Sequence, residues 1–166
     1  MTPDEAHRVV QDFLDRQGEA TIAGDIERTL DWCDLPCTLE TMEYKIVVET
    51  EEEMRAVCLS FIERLKAKRL THMVRRCLEA TFVDADTLSA TYETRYIREG
   101  TYLADEQYLG FVVLLRRETG WKISSMQFAD ETDTSVNQTV RERSFEQIDP
   151  GCAPGPTAGK GSFKAS

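Results

Sequence analysis

Residues 88–130 read LSATYETRYIREGTYLADEQYLGFVVLLRRETGWKISSMQFAD. β-Branched and aromatic residues alternate with polar ones through this run, the two-residue period of strands that bury one face. It divides into two long antiparallel hairpins, the first reaching Arg117 and the second running from Glu118 to Asp130. Asp84-Ala85-Asp86 is a turn leading into them, and His72 to Val83 already has strand period, so four long strands are expected. Leu109 to Leu115 is apolar at nearly every position, which requires cover on both faces of that strand. Helices supply one cover. The other face, assigned Phe111, Val113, Leu115, Trp121 and Ile123, would be an exposed apolar patch, so a homodimer through the sheet is the expected partner arrangement.

The segments before the sheet read as helices. Thr2-Pro3-Asp4-Glu5 has the form of a capping box with proline in the first helical position, and Ala6, Val9, Val10, Phe13, Leu14 and Gln17 follow as one stripe. His7 lies off the stripe and is expected in solvent. Gly24-Asp25 ends this helix and caps a short one from Ile26 to about Asp34, with Leu30 and either Trp32 or Cys33 inward, until Pro36 stops it. A small hairpin turns around Met42-Glu43 and sets Glu40 and Thr41 where the chain enters the sheet. Thr50 to Glu53 is a second capping box, and Met54, Val57, Cys58, Phe61, Ile62 and Leu65 make the principal helix on the sheet.

The fold class is therefore α+β, a curved antiparallel sheet shaped as a cone, with about three N-terminal helices on its concave face. One domain over residues 1–132 is expected, followed by a flexible polar tail at 133–166, whose apolar content is too low to offset the entropy of ordering. Twenty Lys and Arg against 30 Asp and Glu give a net charge of −10, which argues against nucleic acid and anionic membrane surfaces as partners. The basic run from Arg64 to Arg69 ends a helix, where cations oppose the dipole favourably. No stretch approaches the about 18 apolar residues of a membrane span and no signal peptide is evident, so a cytoplasmic location is expected. Cys33, Cys37, Cys58, Cys77 and Cys152 are odd in number and scattered, which fits reduced thiols used as small hydrophobes; neither a disulfide framework nor a metal site nor a cofactor is expected.

The order of helix, short helix, hairpin, long helix and four long strands resembles the nuclear transport factor 2-like superfamily over about Asp4 to Asp130. Gly24-Asp25-Ile26-Glu27 and Gly120-Trp121-Lys122-Ile123 look like the wording of its SnoaL-like and ketosteroid-isomerase-like members. The resemblance implies a cone, commonly dimeric through its sheet, with a hydrophobic cavity between sheet and helices. Such a fold hosts isomerases, dehydratases and cyclases alongside non-catalytic binding and dimerisation domains, so residues must choose. In the ketosteroid-isomerase-like pattern the two positions that hold the oxyanion fall here on Gln17 and Val112, and the one that moves the proton on Thr41. A valine cannot donate to an enolate oxygen. Glu40 could replace the base only if the strand entry slips by one residue. In the dehydratase and cyclase branches a pocket histidine pairs with an aspartate, for which only His72 and Asp130 are available.

Strand alternation puts Tyr92, Thr94 and Tyr96 on one face, with Tyr108, Val112, Met126 and Phe128 lining the same cavity and Phe61, Gln17 and Trp32 facing it from the helices. That lining suits a small, largely neutral organic ligand. Glu93, Arg95, Arg116 and Arg117 fall to the rim or solvent, and Ser124-Ser125 lacks a partner for nucleophilic chemistry. The leading expectation is a domain that binds a small hydrophobic molecule with no catalytic activity established. The alternatives are a lyase or isomerase working through Glu40, His72 or Asp130, and a non-catalytic interaction domain whose core fills the cavity.

Overall fold

The computed structural model describes residues 2–129 and 134–148, excluding the side chains of 146–148; Asp130 and Cys152 lie outside the described residues. Helix α1 spans Pro3–Ile22, α2 Ile26–Asp31 and α3 Glu51–Ala67. Strands β1 Cys33–Glu40 and β2 Lys45–Val48 precede α3, and β3 Leu70–Asp84, β4 Thr87–Arg98, β5 Tyr102–Arg117 and β6 Gly120–Ala129 follow it. A last helix, α4, covers Ser135–Ile148. The strands form one sheet in the order β2-β1-β6-β5-β4-β3. All pairs are antiparallel except β1 with β6, which run parallel because the chain re-enters the sheet only after α3 and the long meander.

Local chemistry accounts for the helix ends. Both capping boxes are formed: the Glu5 amide donates to Thr2 Oγ1 at 3.2 Å, and the Glu53 amide to Thr50 Oγ1 at 3.1 Å. Gly24, at φ +76°, lets the chain leave α1 before the Asp25 carboxylate accepts from the Arg28 amide at 3.2 Å and opens α2. That short helix stops at Asp31, earlier than its sequence implies, because the Trp32 carbonyl accepts the Ile123 amide at 2.8 Å and starts the pairing of β1 with β6. Pro36 sits inside β1 instead of terminating a helix. It falls where the register shifts between Cys33 and Thr38, a place where a ladder needs no donor.

Alternation decides what is buried. Along β4, Leu88, Ala90, Tyr92, Thr94 and Tyr96 are buried and their neighbours are not. Along β5 the buried set is Tyr108, Gly110, Val112 and Leu114. One strand departs from the expected parity. The register between β5 and β6 shifts so that Val113 faces Ser125 while Leu114 faces Ile123, and this bulge returns Ile123 to the inner face at 2% exposure. Trp121 also packs against the core, with its ring 6.1 Å from Phe82 and beneath the Arg116 guanidinium. The outer apolar face thus loses Trp121 and Ile123; Leu109 and Phe111 remain exposed on it.

The edge of the sheet is closed by α1. The β3 edge has free backbone groups, and Gln11 binds two of them, donating to the Arg75 carbonyl and accepting from the Cys77 amide, both at 2.8 Å. His7 is not a free surface histidine: its Nε2 lies 3.0 Å from the Cys77 carbonyl.

The tail expected at 133–166 is described only over 134–148; residues 133 and 149–166 lie outside the described residues. Residues 135–148 form α4, with Val136 and Val140 buried, and this helix packs on α3 and β2, so the folded unit passes the expected boundary at residue 132. Low apolar content misled because two valines four residues apart suffice for one seam, while several polar residues bond within the helix start or reach across to α3 and β5. The Asn137 amide donates to Thr134 Oγ1 at 3.1 Å, Thr139 to the Ser135 carbonyl at 2.8 Å, and the Ser135 amide to Glu106 at 3.0 Å. Glu142 ties α4 to Ser60 and Arg64 of α3 at 3.1 and 3.0 Å. No helix among the described residues is long and apolar enough to cross a membrane.

Candidate functional site

Between sheet and helices lies a cavity of about 90 Å³. Gln17 and Thr21 of α1 and Phe61, Cys58, Val57 and Met54 of α3 form one wall. The sheet contributes Met73 and Arg75 from β3, Tyr92 from β4, Tyr108 from β5, and Ile123, Met126 and Phe128 from β6. Cys33, Cys37 and Leu39 of β1 close one flank, and Val136, Thr139 and Val140 of α4 close another. The surface is chiefly carbon and sulfur with a few polar groups, among them Gln17, Arg75 and Tyr92, the make-up of a small-molecule pocket.

Tyr92 has its ring where a glycine makes room. Gly110 stands opposite it in the ladder, and a Cβ there would meet the Tyr92 ring at 2.3 Å. Tyr96 and Tyr108 join hydroxyl to hydroxyl at 2.7 Å, and Tyr108 meets Phe128 edge to face at 5.8 Å. Burial pushes the Tyr92 phenol up to about 12, offset in part by the nearby Arg75 charge, and burial raises Tyr96 and Tyr108 as well. All three are therefore neutral hydroxyls at physiological pH.

Arg75 is the charged group of the site. It is 8% exposed and points inward from β3, opposite Thr94. One terminal nitrogen donates to the Leu14 carbonyl at 2.7 Å and to Gln17 Oε1, and the guanidinium lies 5.8 Å from the Tyr92 ring centre. Its Nε, the Tyr92 hydroxyl and the Thr94 hydroxyl are buried without a hydrogen-bond partner among the described residues. The Cys33 thiol donates to the Thr29 carbonyl at 3.7 Å, the neighbouring Cys33 thiol together with burial pushes Cys58 up, and burial does the same to Cys37.

Gln17, Phe61, Tyr92, Tyr108, Met126 and Phe128 meet at this cavity. Thr94 and Val112 are fully buried but outside its lining, and Trp32 turns aside to stack edge to face on Phe13 at 5.0 Å. Of the acid–base candidates, Glu40 and His72 do not reach it, and Asp130 lies outside the described residues. Glu40 pairs with Gln127 at 3.2 Å on the outer face, where it borders a separate groove with Leu109 and Phe111. His72 is exposed, and its Nδ1 lies 2.9 Å from Thr71 Oγ1; in strand parity it falls with Val74, on the side away from Arg75. Thr41 serves a turn, its hydroxyl accepting from the Glu43 and Tyr44 amides. Arg75 escaped sequence reasoning although a signal existed: Arg75-Arg76 in a strand sends one arginine to each face whatever the register.

A curved sheet roofed by helices over an inner hollow defines the class, an α+β cone. Residues 4–131 match the family described as NTF2-like protein (DUF6841), and the chain belongs to that family. No curated protein is significantly similar in sequence. Among solved structures, an NTF2-like protein with a cystatin-like fold from Novosphingobium aromaticivorans is similar at 16% identity and a TM-score of 0.59, over 82% of this chain and 88% of that one. A ketosteroid isomerase-like protein from Erwinia carotovora atroseptica gives 17% identity and a TM-score of 0.57, over 76% of this chain and 97% of its own. A domain of unknown function with a cystatin-like fold from Nostoc punctiforme gives 14% and 0.60, over 92% and 97%. At such identities the likeness is one of fold.

Proposed function

We propose that this domain binds a small, mostly apolar organic molecule in the cavity and carries out no acid–base chemistry through Glu40 or His72. The carrying observation is a hollow walled by four helices and the sheet, with the Tyr92 hydroxyl buried on its wall and without a well-formed hydrogen bond among the described residues. A core packed only for stability would fill that volume or satisfy that hydroxyl. The lyase or isomerase alternative loses its support from Glu40 and His72, because neither lines the cavity and both stand on the face of the sheet away from Arg75 and Tyr92. Native mass spectrometry of the protein as purified, followed by denaturing extraction, tests the binding reading. A stoichiometric small molecule supports it, and a clean apo protein shifts the weight to an interaction domain.

A homodimer through the outer face of the sheet is the second part of the proposal. Leu109 and Phe111 are exposed on the same face of β5, at 47% and 38%, where no helix among the described residues covers them. Light scattering on the wild type and on Phe111→Asp checks it; a monomeric wild type rejects it. A cytoplasmic setting belongs to the same proposal, supported by the thiols of Cys33, Cys37, Cys58 and Cys77 all being free, which fits a reducing compartment.

A further inference from the structure

We infer that the molecule bound in the cavity is a short-chain monocarboxylic acid, its carboxylate held by Arg75 and the Tyr92 hydroxyl and its hydrocarbon tail lying among Met54, Phe61, Met126 and Phe128. This rests on the cavity being a binding site, as proposed above, and assigns the chemistry of its occupant.

The case begins with an uncompensated charge. A guanidinium is never neutral in a protein, and taking it out of water is costly unless a counter-charge lies close. Arg75 is more than nine-tenths buried, yet none of its ion-pairing options is used: among the described residues no carboxylate lies within salt-bridge reach of it. This is not for want of acids, since the chain has 30 Asp and Glu and a net charge of −10. Leu14 and Gln17 offer neutral oxygens to one terminal nitrogen, which hold the side chain in place without cancelling its charge.

The neighbouring groups are donors in the same sense. Arg75 Nε and the Tyr92 hydroxyl make no well-formed hydrogen bond to any described residue; the guanidinium lies close enough to the phenol oxygen to lower its pKa in part, but the Tyr92 hydroxyl keeps its own proton at neutral pH because burial holds its phenol up. Both residues line the cavity. A cationic donor and a hydroxyl donor side by side, neither with a well-formed acceptor among the described residues, are complementary to an anion with two acceptor oxygens, and a carboxylate has that geometry. A phosphate monoester would bring a second negative charge for which no second cation lines the cavity among the described residues. The volume of about 90 Å³ limits the tail to a few carbons, and the thioether and aromatic walls make that tail apolar.

The test compares pentanoate with pentanamide, which match in shape and differ in charge, by NMR titration of the labelled protein. Pentanoate is expected to bind at least tenfold more tightly, with shifts at Tyr92, Phe61 and Met126. Arg75→Met should erase that preference, leaving acid and amide alike. Because Arg75 also pins α1 to β3, that variant could lose the fold; Tyr92→Phe removes one oxygen only, and its pentanoate affinity should fall severalfold while pentanamide is affected less. Equal binding of acid and amide by the wild type would overturn the carboxylate assignment and leave the pocket reading intact. Binding of the amide alone has the same meaning. If neither probe binds, the assignment also fails, Arg75 is then a staple between α1 and β3, and the native mass measurement decides separately whether the cavity holds anything else.

Discussion

The two faces of β4 and β5 are made from alternate residues of the same strands and meet opposite surroundings. Inward, Tyr92, Thr94, Tyr96, Val112 and Leu114 are at most 1% exposed and lie under helices. Outward, Thr91, Glu93, Leu109 and Phe111 have no helix above them, and the last two remain substantially exposed although both are large and apolar. A step of one residue therefore changes the solvent, and the physical consequences of a substitution should change with it.

The largest contrast is expected at adjacent positions. Val112→Asp places an unpaired carboxylate in a fully buried site and should cost more than about 4 kcal/mol, enough to unfold most of the protein. Phe111→Asp, one residue away on the outer face, should change the stability of the monomer by roughly 1 kcal/mol or less while removing any association through the sheet. Urea denaturation of both variants checks the pair, and similar losses would refute the division into two faces.

Within the inner face, packed core and cavity wall should also differ. Leu14→Ala, at 1% exposure, is expected to cost about 2–5 kcal/mol. Phe61→Ala removes a larger side chain but one that borders empty volume and is only partly buried, so its cost should fall below about 3 kcal/mol. If Phe61→Ala proves the more damaging, the cavity is effectively filled. Gly110→Ala tests the seat of Tyr92 and should cost about 1–3 kcal/mol by forcing that ring aside, with a loss of pocket binding measured in parallel.

The pH dependence follows from the same burial. Tyr92 has its phenol raised from the ordinary 10 to about 12 by burial. The folded state therefore holds this proton more tightly than the unfolded chain. Its contribution to stability is complete below about pH 10 and is lost as pH rises toward 12. Tyr92→Phe should flatten that alkaline decline, measured as midpoint against pH; an unchanged slope would reject burial as its cause. The smallest effect is expected at a helix end, where Thr50→Ala removes the cap of α3 at a cost of about 1 kcal/mol.

How much of this was legible beforehand depends on whether the signal is local. The capping boxes at Thr2 and Thr50 and the alternation from Leu88 to Tyr96 depend on residues a few positions apart, and their forms are visible in the chain. The inner location of Gln17, Tyr92 and Tyr108 followed from period alone. Ile123 did not, because one unpaired residue in a bulge reverses parity and nothing in Ser124-Ser125 announces it. α4 was hidden for another reason: averaged composition reads as solvent, while the two valines and self-capping polar residues that order it have meaning only against α3 and β2.

The sequence by itself determined the α+β class, the four long strands and the amphipathic stripes of α1 and α3, since periodicity and capping are properties of neighbouring residues. Only the tertiary structure decided that Glu40 and His72 face away from the cavity, that α4 closes it, and that Arg75 enters it with no carboxylate opposite among the described residues. Those outcomes turn on register, strand order and the solvent left at each face, all of which come from contacts between residues far apart in the chain.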